Sequence, residues 1–116
     1  MIYERARNKA LNNGQRYHVA CILYRRNKPI YIGVNSSKTH PRFQRITADG
    51  TQVSSLHAEM SVLRFAKPGD ALEVLRFLST GEITMARPCR HCQAFIQQAQ
   101  ISSLKYTNWL GEWEVF

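Results

Sequence analysis

The chain reads as an α/β protein, a mixed five-stranded sheet packed by about three helices. Three observations carry this reading. Tyr17 to Tyr24 holds Val19, Ala20, Cys21, Ile22 and Leu23 in succession, the pattern of a strand buried on both faces. Val74 to Leu78 repeats it and is interrupted only by Arg76. From Cys89 to Gln100 the apolar positions are Cys92, Phe95, Ile96 and Ala99, a helical spacing.

The other elements follow in order. Ile2, Ala6 and Ala10 recur every four residues between Ile2 and Asn12, and Asn12-Asn13-Gly14 stops that helix. Arg25-Arg26-Asn27-Lys28-Pro29 reads as a turn, so Ile30 to Val34 returns as a second strand of a hairpin. Asn35 to Ser55 is polar, contains Pro41 and reads as one long loop of the kind that is functional or mobile. Ser54 or Ser55 is placed to cap a helix from Leu56 to Ala66, whose stripe is Leu56, Met60 and Leu63 and whose stop is Pro68-Gly69. Thr80-Gly81 is a turn, and Ile83 to Ala86 leads into Pro88. Ser103 to Tyr106 and Trp113 to Phe116 are the last strands. The turn between them, Asn108 to Gly111, is short enough to permit only antiparallel pairing.

At 116 residues the chain suits one domain, 1–116, with a single core. Its 44% hydrophobic and 21% charged residues describe a globular rather than a disordered chain. No apolar run approaches the roughly 20 residues of a membrane span, and the first residues lack a signal core. Cys89 and Cys92 have metal-ligand spacing and Cys21 lies in a core run, so a reducing, cytoplasmic setting is expected. Sixteen basic residues against 8 acidic give a formal charge of +8. That excess attracts phosphate, in a nucleotide or a nucleic acid, although it also suits a basic surface with no specific partner.

The chemistry concentrates in His57-Ala58-Glu59 and Pro88-Cys89-Arg90-His91-Cys92. Two thiolates three residues apart converge at the start of one helix, where the helix N-terminus favours their charged form. Two sulfurs with one imidazole select zinc. Three protein ligands leave a position open, at which a water is held and its pKa lowered towards ~7. Glu59 is then free to carry protons. His57 and Glu59 share such a site only if it lies at the start of their helix, because residues two apart diverge further along. His91 is a possible fourth ligand, but between the two cysteines it faces elsewhere.

In this order, with a proline before the first cysteine, the two motifs match the signature of zinc nucleobase deaminases. From Tyr17 to Tyr106 the chain resembles the cytidine deaminase-like superfamily, which includes cytidine, deoxycytidylate, tRNA-adenosine and DNA cytosine deaminases. The resemblance implies a three-layer fold with one catalytic zinc held by His57, Cys89 and Cys92, and Glu59 as proton shuttle. It implies that the backbone of Ala58 contacts the base, that Asn35 contacts a substrate sugar, and that the protein forms homo-oligomers. Arg87 stands where members often carry Ser or Glu. The antiparallel last strand is that of free cytidine deaminases, since it runs parallel in the deoxycytidylate, tRNA and DNA-editing branches.

Phe43 is a candidate to stack on a base or to anchor its own loop. Arg42, Arg45 and Arg87, with Lys38, are candidates for phosphate. Trp109 and Trp113 suit packing of the last hairpin or a subunit interface. The expected activity is hydrolytic deamination of cytosine to uracil in a nucleotide or single-stranded nucleic acid, DNA before RNA. Deamination of free cytidine or deoxycytidine, a tRNA-adenosine or guanine-type reaction, and an inactive nucleic-acid-binding module remain open. The intact Glu59 argues against the last of these.

Overall fold

The chain runs α1 (Ile2–Leu11), β1 (His18–Arg25), β2 (Lys28–Val34), β3 (Arg45–Ile46), β4 (Gln52–Val53), α2 (Ala58–Leu63), β5 (Ala71–Phe77), β6 (Ile83–Thr84), α3 (Arg90–Gln98), β7 (Ser103–Thr107) and β8 (Trp113–Val115). The structure is a computed structural model that describes residues 1–116. The two apolar runs lie side by side inside the sheet, whose order is β2-β1-β5-β7-β8. β1 is antiparallel to β2 and β5, β5 is parallel to β7, and β7 is antiparallel to β8. The last pairing is the one expected. Asn108 makes the turn by accepting the N–H groups of Leu110 and Glu112 on its Oδ1, an Asx-type closure.

Side chains of β1 and β5 alternate between two cores, as the pleat requires. Ala20, Ile22, Leu75 and Phe77 pack with Ala6 and Ala10 of α1. Cys21, Leu23, Leu72 and Val74 pack with α2 and α3 on the opposite face. The result is three layers, helix on sheet on helices. No helix is long and apolar enough to cross a membrane.

The structure differs from the expectation in three places. The polar stretch 35–55 is not one loop: it forms a 3-10 turn at Pro41–Phe43 and the hairpin β3-β4. The second helix spans only Ala58–Leu63, and its N-cap is His57 rather than Ser54 or Ser55. Those serines are held in extended chain, Ser54 by the N–H of His40 and Ser55 by a bridge to Thr39. Finally, β6 pairs with β5 and makes the sheet six-stranded.

Asp70, which precedes β5, clamps the α2–β5 connection to the end of β1. Its Oδ1 and Oδ2 accept Arg25 Nε at 2.9 Å and Nη2 at 2.8 Å, and Oδ2 also accepts the N–H of Lys67. The Arg25 hydrogen bond, followed by that of Lys67, holds the Asp70 carboxyl below its ordinary 3.8. A carboxylate with a depressed native pKa stabilises the fold above its unfolded value and loses that contribution as pH falls through the native one. Asp70→Asn is therefore expected to lower the thermal midpoint at neutral pH by several degrees. The gap to the unmodified protein should close on acidification below the ordinary aspartate range, which melts over a pH series will read.

Candidate active site

Two helix starts meet at the site. His57 caps α2 with an extended backbone (φ −72°, ψ 164°), and Cys89 caps α3 in nearly the same conformation (φ −69°, ψ 168°). Cys92 follows in the first turn of α3. Both sulfurs therefore stand at the positive start of α3, an end that favours thiolate. Placing His57 at the cap also resolves the His-x-Glu problem. The imidazole leaves before the helix begins, and Glu59, two residues on, can turn to the same space.

His57 Nδ1 lies 3.6 Å from Cys89 Sγ and 3.4 Å from Cys92 Sγ. The three ligand atoms all fall within 4.8 Å of one another. The N–S edge of a tetrahedral zinc site with ordinary bond lengths is about 3.6 Å, so the donor set fits one zinc ion in spacing and in chemistry. His91 is not part of the cluster. Cys89 is held as thiolate: the hydrogen bond from Cys92, with that from His57 behind it, lowers its pKa to about 3. Cys92 moves the other way, raised by its bond to Cys89 and by burial.

Arg45 does not lie in the cavity where a phosphate would sit. It donates from Nη1 to the carbonyls of Phe43 and Ser55, both at 2.9 Å, and its Nη2 faces His57 Nε2 at 3.1 Å. Occupying the Nε2 side leaves Nδ1 as the nitrogen turned to the sulfurs.

A cavity of about 390 Å³ opens beside the triad, bordered by His57, Ala58, Glu59, Cys89, Asn35 and Arg87. That volume suits a small ligand. Glu59 is only 5% exposed. Burial raises its pKa above 4.5, against the opposing pull of its own backbone N–H and of His57. A carboxyl moved towards neutrality both accepts and returns a proton. Asn35 borders the cavity with its amide engaged. Oδ1 accepts Val19 N–H at 2.9 Å and Asn13 Nδ2 at 2.8 Å, and Nδ2 donates to the Tyr17 carbonyl at 3.0 Å.

Two candidates are corrected. Phe43 is fully buried and packs edge-on against Phe95 at 5.0 Å, so its ring is not available to a base. Arg42 stacks on Phe43 and donates to the Leu63 carbonyl at 3.3 Å, bracing the end of α2 outside the cavity. Conversely, Tyr17, Val19, Arg76, Met85 and Ala86 line the cavity without having been singled out. Arg76 carried a visible signal, the one charge in the apolar run 74–78, and it lies on the same side of the pleat as Leu72 and Val74.

The profile of the cytidine and deoxycytidylate deaminase zinc-binding region matches residues 2–108. Comparison with curated proteins and with solved structures returns no match. The matched span holds both motifs, the three-residue donor cluster and every strand of the sheet except β8; the chain belongs to the cytidine and deoxycytidylate deaminase zinc-binding family.

Proposed function

We propose that the protein hydrolyses the exocyclic amine of cytosine, converting cytosine and water to uracil and ammonia, within a nucleotide or single-stranded nucleic acid, DNA before RNA. The observation that carries this is Glu59, a buried carboxyl at the floor of a base-sized cavity beside a three-donor zinc site. His57, Cys89 and Cys92 would hold a zinc ion, which when bound would supply an acidified water. Glu59 would accept one proton of that water and deliver it to the ring nitrogen as the oxygen adds to the ring carbon, then take the second proton from the new hydroxyl and pass it to the amine, which leaves as ammonia while the carbonyl forms. Ala58, at the first turn of α2, presents its backbone to the base, and Asn35 stands at the sugar side of the cavity. A base reaches this depth only when free of a duplex.

A free cytidine or deoxycytidine deaminase is the second reading, favoured by the antiparallel β7-β8 pair. Mass-spectrometric assay of cytidine, deoxycytidine, dCMP, single-stranded DNA and RNA at two salt concentrations separates the two. Conversion of the phosphorylated substrates, falling as salt rises, is expected. Equal turnover of cytidine with no salt effect would favour the free nucleoside, and no conversion of any cytosine would refute the proposal.

A further inference from the structure

We propose that Arg76 and Arg87 form a phosphate subsite at the mouth of the cavity, which selects a cytosine carrying a phosphate on its sugar over the bare nucleoside. This rests on the deaminase reading and adds a specificity device to it.

The argument begins with the pleat. Leu72, Val74 and Arg76 project from the same side of β5. Leu72 and Val74 fill the core beneath α2 and α3, whereas Arg76 borders the cavity. Its register partner on β1 is Val19, which also lines the cavity. An arginine on the same side of a central strand as Leu72 and Val74 contributes little to packing there, yet it lines the same cavity as His57 and Cys89.

Both guanidiniums are prepared for an anion. That of Arg76 lies 5.1 Å from the centre of the Tyr17 ring, and that of Arg87 lies 5.2 Å from the centre of the Phe116 ring. Stacking occupies a guanidinium's face and leaves its N–H edge to engage phosphate oxygens in pairs. Neither arginine is in an ion pair, since the chain's one salt bridge joins Arg25 to Asp70. Glu59 is the only acid on the cavity wall, and it lies at the floor beside His57. A third guanidinium, that of Arg16, stands 5.6 Å from the Tyr17 ring. The cavity wall therefore carries two unpaired cations beside one buried acid. A phosphate on a bound nucleotide belongs one sugar away from its base, and Arg76 and Arg87 share the cavity wall with Glu59, His57 and Cys89. The phosphate is either the terminal group of a mononucleotide or a phosphodiester of a strand.

Steady-state kinetics on deoxycytidine, dCMP and a short single-stranded oligonucleotide with one cytosine provide the test. In the unmodified protein kcat/KM should favour a phosphorylated substrate by roughly 100-fold over deoxycytidine. Arg76→Gln should lower that substrate by roughly 10- to 100-fold and deoxycytidine by less than about 3-fold, with Arg87→Gln acting in the same direction. A preference confined to dCMP assigns a terminal phosphate, and one confined to the oligonucleotide assigns a phosphodiester. Indifference to phosphate in the unmodified protein, or equal losses on all three substrates, overturns the subsite. Zinc content and melting report whether the variants fold, and Arg76→Lys, which keeps the charge but not the paired donors, should recover part of the loss. Calorimetry with Glu59→Gln protein reads the subsite without turnover. If no cytosine compound is converted, yet dCMP binds more tightly than deoxycytidine and Arg76→Gln removes the difference, the subsite stands and the deaminase reading falls. If dCMP and deoxycytidine bind equally, the subsite falls whatever the turnover.

Discussion

Glu59→Gln is expected to abolish turnover of every cytosine substrate while zinc remains bound. The replacement keeps the shape and hydrogen-bonding capacity of the side chain but cannot carry a proton between water, ring nitrogen and leaving amine. Proton transfer by a positioned group is worth roughly 10²- to 10⁴-fold, and here the same group acts more than once in the cycle. The residues positioned to hold a metal are His57, Cys89 and Cys92, none of which is altered, so metal content should stay near one per chain.

A stability measurement separates this role from a merely structural one. The native pKa of Glu59 is raised by burial. A carboxyl with a raised native value leaves its stabilising contribution intact below the unfolded pKa and forfeits it as pH rises through the native one. Metal-free Glu59→Gln should therefore melt no lower than the metal-free unmodified protein at neutral pH. A variant that lost activity, zinc and stability together would place Glu59 in the framework rather than in the chemistry.

What could be foreseen about this site depended on whether a residue acts through its identity or through its direction. His57, Cys89 and Cys92 were legible because donor type and chain order are enough to define a zinc set, and the hydrogen-bonding distances bear out their convergence. The antiparallel β7-β8 pair was legible because its turn is too short for anything else. Phe43 is open by sequence between stacking on a base and anchoring its own loop, and the structure takes the second. Pro41 opens a 3-10 turn after His40, which folds the ring inward against Phe95 instead of out over the cavity. Arg45 stands among the phosphate candidates by sequence, although β3 turns it back onto the imidazole of His57. Arg76 could be placed only once the parity of β5 was known, since a shift of one residue would have sent it to the α1 face. Charge and composition do not encode such directions. Register and turn geometry do, and both depend on contacts distant in the chain.

Gly33→Ala is expected to disable the site from the opposite side of the sheet-helix contact. Gly33 lies in β2 opposite Cys21, and its backbone is not in the left-handed region, so conformation alone would admit alanine. Space does not. A methyl there would stand 1.8 Å from Ser61 Oγ, 2.8 Å from Val62 Cγ1 and 3.0 Å from the Ala58 carbonyl oxygen. Ser61 cannot simply rotate away, because its buried hydroxyl donates to that same Ala58 carbonyl at 2.8 Å. The load falls on α2, which has only six residues and begins directly after His57. Overpacking of this kind costs roughly 1–3 kcal/mol, and a misplacement of about 1 Å at a catalytic group can cost 100-fold in rate. The variant should melt lower, retain zinc less firmly and turn over poorly, although Gly33 touches neither metal nor base. Adding Ser61→Ala removes the closest of the three clashes but leaves the other two, so it should restore part of the stability and less of the activity. Wild-type melting and turnover in Gly33→Ala alone would mean that α2 does not lie this close to β2, and that His57 and Glu59 owe their placement to something else.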